Sequence, residues 1–164
     1  MENISFRPYK ETDLQELLEI YSYYILNSTA TCTISPISLD QMRQIVTPES
    51  SRYKTFVILY DGEICGYCLF TRFKTREAYD ISGEVTIYLK QGYLGKGIGS
   101  KAIELIEKEA KLAQIHALIA LVSSENNSSK RLFEKNGYIK CAEFKEVALK
   151  FGRMFGLVCF QKII

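Results

Sequence analysis

The chain has 164 residues, 47% of them hydrophobic and 24% charged, with only three prolines and a formal net charge of +2. That length and balance fit one globular domain over 1–164 with a real core and exclude a disordered chain. So small a net charge argues against a nucleic-acid partner, and no apolar run approaches the roughly 20 residues of a membrane span.

In the opening MENISFRPYK, charge and proline stand where a secretory signal has its apolar stretch, so a cytoplasmic protein is expected. The five cysteines, Cys32, Cys65, Cys68, Cys141 and Cys159, are odd in number and irregularly spaced, and read as reduced thiols. Asn3 to Pro8 predicts a first strand. Thr12, with Gln15 three residues on, predicts a capping box for a helix whose Leu14, Leu17, Leu18, Tyr21 and Ile25 share one face. Ser28 to Pro36 is a polar, β-branched loop, and Ser38 caps a short second helix to Ile45. Thr55 to Tyr60 and Ile64 to Phe73 flank Asp61-Gly62, the turn signal of an antiparallel hairpin.

Glu84 to Leu89 alternates as a strand and leads into Gly95, Gly97 and Gly99, where a helix starts. Ile98, Ala102, Leu105, Ile106 and Ala113 form its apolar stripe, and Glu104/Lys108 and Glu107/Lys111 are spaced as i,i+4 pairs on its wet side. His116 to Val122 predicts a strand covered on both faces. A helix capped by Asn126 or Ser128 runs through Lys135 and ends at Asn136-Gly137, and the last strands are about Tyr138 to Phe144 and Phe155 to Lys162. The order β-α-α-β-β-β-α-β-α-β-β predicts a mixed α/β sheet with helices on both faces.

Three alternate glycines between a strand and a helix let the backbone approach a ligand closely and aim several N–H groups at it, which suits a phosphate or pyrophosphate. Gly99-Ser100-Lys101 reverses the order a P-loop needs, and Ser100 to Ala102 lacks the further glycine of a dinucleotide fingerprint. On the glycines alone, a tight turn built only for packing is an equal reading.

Leu94-Gly95-Lys96-Gly97-Ile98-Gly99 resembles the pyrophosphate-binding motif of GNAT acetyltransferases, and Ile87-Tyr88-Leu89 resembles the strand that carries their pantetheine arm. The resemblance extends over nearly the whole chain to the phosphinothricin and methionine sulfoximine acetyltransferase-like branch. It includes Ile20-Tyr21, Asn27-Ser28-Thr29-Ala30-Thr31, the basic loop Phe73 to Tyr79, Glu125-Asn126 with Ser129, Glu134 to Tyr138, Lys145-Glu146 and Lys150 to Arg153. It implies a GNAT fold, α/β of the α+β kind, with a mixed, mostly antiparallel central sheet.

The resemblance also implies acetyl-CoA as co-substrate, with no metal. Ile87, Tyr88, Leu89, Gly95, Lys96, Gly97, Ile98, Gly99, Ser100, Asn126 and Ser129 are the cofactor-binding residues it points to. Glu84 is the general base for a small amino-acid-like amine, and Phe73, Arg76 and Tyr79 bind that substrate, with Lys150 and Arg153 adding positive charge. Backbone N–H groups near Tyr88 supply the oxyanion donors. A homodimer is the common assembly of this branch.

The chain departs from the family pattern at Leu94, where Arg or Gln is usual, at Phe133, where relatives carry Tyr or His, and at Met154 and Gly156. Two alternatives fit the same motifs. One is transfer to a peptide or protein N-terminus, against which the basic loop argues; the other is non-catalytic acetyl-CoA binding, for which Leu94 and Phe133 speak. Cys65-Gly66-Tyr67-Cys68 reads as part of a strand whose positions three apart point to opposite faces, not as a redox or zinc motif. The lone His116 reads as a core or edge residue.

Overall fold

The structure, a computed structural model, describes residues 3–164, so Met1 and Glu2 of the expected 1–164 domain, and of the opening stretch read for a signal, lie outside the described residues. Seven strands share one sheet: β1 (Ile4–Pro8), β2 (Lys54–Tyr60), β3 (Glu63–Arg72), β4 (Ser82–Leu89), β5 (Ala117–Ser123), β6 (Ile139–Lys150) and β7 (Arg153–Ile163). Their spatial order is β1-β2-β3-β4-β5-β7-β6, and only β4 and β5 run parallel. The four helices are α1 (Leu14–Asn27), α2 (Leu39–Val46), α3 (Ile98–Leu112) and α4 (Asn127–Lys135). None is long and apolar enough to cross a membrane.

The helical spacing of Leu14, Leu17, Tyr21 and Ile25 buries one face of α1, with Met42 and Val46 of α2, against Val57, Tyr67 and Leu69 of the sheet. The other face of the sheet takes Ile98, Ala102, Ile103 and Ile106 of α3 and Phe133 of α4 against Phe70, Val85, Leu118 and Phe160. The expected mixed sheet with helices on both faces is therefore what the chain forms. Ser38 caps α2 by accepting the Gln41 N–H at 3.2 Å while the Gln41 side chain accepts the Ser38 N–H at 2.8 Å.

Several local expectations give way to other partners. Thr12 does not cap α1; a 3-10 turn over Glu11–Asp13 precedes the helix, and Asp13 accepts the Lys10 N–H at 2.8 Å and a two-pronged Arg7 pair at 2.7 Å. That buried pair holds the Asp13 carboxyl below its usual range, the Arg7 hydrogen bond being the largest cause. Glu107 bonds Lys162 of β7 at 2.7 and 2.9 Å in place of the expected Lys111. The last two strands run longer than expected because Lys150 and Arg153 pair directly and Phe151-Gly152 turns the chain between them.

The register of β2 with β3 shifts between Ile58 and Leu59, where Cys65 is the extra residue. This bulge moves one position across the pleat, so Cys65 and Cys68 both join the α3-side core. The expectation that they face opposite sides of the sheet is thereby corrected. Both remain free thiols, and His116 lies exposed at the edge of β5.

Candidate active site

The parallel pairing of β4 with β5 lasts for three residues, Ser82 with Ala117, Gly83 with Leu118 and Glu84 with Ile119. Beyond Glu84, β4 pairs only with β3, and beyond Ile119, β5 pairs only with β7. The close approach at Gly66, where a Cβ would lie 2.5 Å from the Tyr88 carbonyl oxygen, lets β4 lean onto β3 and away from β5. The resulting wedge is a cavity of about 600 Å³ with Glu84 at its apex and the glycine loop at its other end.

Gly95 and Gly97 both have φ of +76°, a left-handed backbone that a side chain would strain, with nothing within 4 Å of an added Cβ. Gly97 is the N-cap of α3, and the first hydrogen bond there runs from the Lys101 N–H to the Gly97 carbonyl. The N–H groups of Ile98, Gly99 and Ser100 precede that bond at the positive end of the helix. Gly99 serves a different purpose. A Cβ there would meet the Leu132 side chain at 2.8 Å, so Gly99 lets α3 pack against α4.

The cavity walls include Ile87, Tyr88, Leu89, Gly95, Gly97, Ile98, Gly99, Ser100, Asn126 and Ser129, so the structure brings these residues to one cavity. Asn126 caps α4 by accepting the Ser129 N–H at 3.1 Å, and Asn136 donates to the Ser100 hydroxyl at 3.0 Å. Lys96 is not a wall residue; its ammonium lies 4.7 Å from the Tyr60 ring centre and 5.4 Å from that of Tyr93. Arg131 and Lys135 also line the cavity and were missed in the sequence. Their i,i+4 spacing on one face of α4 is the signal that would have found them.

Glu84 is half-buried, and desolvation raises its carboxyl above the ordinary range while nearby Lys74 opposes the rise. The Tyr88 ring packs on Tyr21, Tyr24 and Tyr67 at 5.3, 5.0 and 5.6 Å, and burial pushes its hydroxyl up, so it stays protonated at neutral pH. The Tyr24 hydroxyl donates to the Leu89 carbonyl. Phe133 presents no hydroxyl, its ring lying 5.1 Å from that of Tyr138 and 6.2 Å from that of Phe160.

Another wall is the loop Thr29, Ala30, Thr31 and Cys32. Thr29 donates to Glu125 at 2.9 Å and accepts from Ser123 at 3.1 Å, and Arg153 grips the same Glu125 at 2.8 and 2.9 Å. Lys150, only 3% exposed, donates to the carbonyls of Ser28 at 2.7 Å, Thr31 at 3.0 Å and Tyr24 at 3.4 Å. Lys150 and Arg153 therefore hold this wall, which corrects the expectation that they reach a substrate directly.

Phe73, Arg76 and Tyr79 stand outside the cavity walls. The Phe73 and Tyr79 rings lie 6.2 Å apart, and Arg76 is exposed at the start of the turn Glu77–Tyr79. Their loop still adjoins the apex, since Lys74 acts on Glu84. Among the described residues no group of three or more His, Cys, Asp or Glu is placed to hold a metal ion.

The model of the acetyltransferase (GNAT) family matches residues 15–138. The chain is 27% identical to the phosphinothricin N-acetyltransferase of Streptomyces coelicolor, over 97% of this chain and 95% of that protein. Among solved structures it is similar to the ribosomal-protein-alanine N-acetyltransferase from Brucella melitensis, with a TM-score of 0.91, 28% identity and coverage of 98% and 99% of the two chains. It is also similar to the phosphinothricin acetyltransferase from Sinorhizobium meliloti in complex with AcCoA, with a TM-score of 0.93, 27% identity and coverage of 98% and 88%.

Proposed function

The chain belongs to the acetyltransferase (GNAT) family, and on that premise we propose that it transfers the acetyl group of acetyl-CoA to the primary amine of a small α-amino acid, with Glu84 as general base. The observation that carries this reading is the parting of β4 from β5 directly after Glu84, which sets a desolvated carboxylate at the apex of a cavity that begins at the glycine loop.

The residues present fit the donor. The left-handed Gly95 and Gly97, the amides of Ile98 to Ser100 and the cations of Arg131 and Lys135 suit a pyrophosphate and its neighbouring phosphate. The edge of β4 from Val85 to Leu89, which faces no strand across the wedge, suits the amides of a pantetheine arm. Bound there, acetyl-CoA supplies an acyl group activated as a thioester.

Glu84 takes the proton of the acceptor ammonium, directly or through water, and so frees the amine to attack. Amides of β4 near Tyr88 donate to the carbonyl oxygen as charge develops on it. A thiol with a pKa of about 8.5 leaves without strong acid assistance, so the loss of a hydroxyl at Phe133 is compatible with turnover. Tyr24, Tyr88 and Tyr93 are the phenolic hydroxyls among the cavity walls.

In this reading the acceptor carries a polar or anionic, roughly tetrahedral side-chain end, as in phosphinothricin or methionine sulfoximine. Arg76 and Tyr79, with Phe73, read that end from the rim beside Lys74. One catalytic domain spans 1–164, works in the cytoplasm and assembles as a homodimer. Support for the assembly comes from the apolar Ile139, Phe144, Val147 and Leu149 exposed on the edge strand β6.

The likeness to a ribosomal-protein-alanine N-acetyltransferase favours a second reading, transfer to a protein N-terminus. Release of free coenzyme A, measured with a panel of amino acids, alkylamines and N-terminal peptides, separates the two. Turnover of amino acids alone supports the proposal, and turnover of peptides alone overturns it. No release with any amine would leave acetyl-CoA binding without catalysis.

A further inference from the structure

Lys150 is a buried ammonium with no carboxylate beside it among the described residues, which is a costly arrangement unless something else uses the charge. Part of the compensation is local. Its acceptors Tyr24 and Ser28 sit at the C-terminal end of α1, where the helix dipole favours a cation, and Thr31 supplies a third carbonyl.

The same three bonds orient the loop. A trans peptide points its N–H opposite to its C=O, so drawing the Ser28 and Thr31 carbonyls back onto Lys150 turns the N–H groups of Thr29 and Cys32 the other way. Thr29 and Cys32 line the cavity, whereas Lys150 does not. Neither of those two amides has an acceptor among the described residues. This wall thus presents two unused donors, each on a peptide whose carbonyl is held by a buried ammonium, an arrangement that suits an anion.

We propose that this strip, Thr29 to Cys32 backed by Lys150, is the subsite for the carboxylate of the acceptor, and that Lys150 is a specificity-determining residue which acts through the loop without touching the substrate. The proposal rests on the amino-acid acceptor proposed above. It assigns the α-carboxylate to the inner wall and leaves the side-chain end to the rim around Arg76. With the carboxylate held at Thr29 and Cys32, the α-amine lies between that wall and Glu84, which lines the same cavity.

The test uses the full chain, saturating acetyl-CoA, the amino acid that the amine panel turns over fastest, and the carboxamide of that amino acid. Wild type should prefer the carboxylate by about tenfold or more in kcat/KM, the scale of a charge-assisted hydrogen bond. Lys150→Gln removes the charge but keeps two N–H donors for the loop carbonyls. It should bring the preference close to unity, chiefly through KM for the acid, with acetyl-CoA affinity by calorimetry changed less than about twofold, as expected of a donor held by other residues.

Lys150→Arg keeps the charge and should keep the preference even if turnover falls. If Lys150→Gln melts below the assay temperature, Lys150→Met replaces it. A wild type indifferent to the carboxylate, or a preference that survives in the neutral variants, overturns the proposal while leaving the acetyltransferase reading intact. If no amino acid is turned over, the acceptor reading itself fails and takes this subsite with it.

Discussion

Two loops border the same cavity and both offer it backbone amides, yet they are held in different ways. The loop from Gly95 to Ser100 takes its shape from its own residues: two glycines at φ of +76° and a helix that starts at once behind them. The loop from Ser28 to Cys32 has no glycine, and its local bonds, from the Ala30 N–H to the Ser28 hydroxyl and from the Thr33 N–H to the Thr31 hydroxyl, are joined by remote ones. Lys150, Glu125 with Arg153, and Ser123 also hold it, all about a hundred residues away in sequence. The loop proposed for the donor is written locally in glycine. The loop proposed for the acceptor is tied into the far end of the chain, where changes at the β6–β7 turn reach it.

The largest effect should come from Glu84, which stands at the apex between the two loops. Glu84→Gln is expected to lower kcat/KM near neutral pH by about two to four orders of magnitude, the range for loss of a general base. Because burial raises the Glu84 carboxyl, the acid limb of the wild-type profile should lie above the ordinary carboxylate range, with activity lost as pH falls through the raised value. The deficit of the variant should shrink at high pH, where the amine arrives unprotonated. Equal rates for the two enzymes across the profile would remove Glu84 from the mechanism.

Next come the glycines, which separate ligand approach from packing. Gly97→Val should weaken acetyl-CoA binding by about tenfold to a hundredfold, because the loop relieves a left-handed strain of about 1–3 kcal/mol by leaving its shape in the free protein and must regain that shape on binding, with a smaller fall in melting temperature than Gly99→Val. Gly99→Val should instead destabilise the fold by about 1–3 kcal/mol through its clash with Leu132. Calorimetry and thermal melts on both variants check the division. Reversed outcomes would mean that the two glycines have been given each other's roles.

Smaller effects test the remote fastening. Arg153→Gln should raise KM for the acceptor by about threefold to tenfold while leaving acetyl-CoA affinity alone, since it frees one of two clasps on the loop and leaves the charge of Lys150 in place. An equal loss for both substrates would show that the clasp supports the whole cavity. Smallest of all should be Arg76→Ala, about twofold to fivefold in KM for an acceptor with an anionic side-chain end and nothing for an alkylamine, because Arg76 is exposed and its interactions are screened. Steady-state kinetics with both acceptors would expose the idea if the alkylamine suffered equally.

What was legible in the sequence follows the same division. The hairpin at Asp61-Gly62, the cap at Ser38, the first of the two caps expected for α4, Asn126, and the start of α3 at the glycines depend on neighbours in the chain, and the structure has all of them. The bulge at Cys65 depends on how β3 registers against β2, so a period-two reading placed its side chain on the wrong face. Glu107 was paired with its helical neighbour because nothing local reveals Lys162. Lys150 was read as a substrate cation for the same reason, its three carbonyl acceptors lying more than a hundred residues upstream.

The three-residue stitch between β4 and β5 also has a mechanical meaning. It joins a four-stranded plate, β1 to β4, to a three-stranded plate, β5 to β7, along only Ser82–Glu84 and Ala117–Ile119. Away from that stitch the two plates are held by what covers them: α3 and α4 pack on strands of both from one side, and Lys150 and Glu125 tie the β6–β7 end to the loop after α1. The gap is thus a seam kept open by its coverings, with no strand pairing across it beyond Glu84.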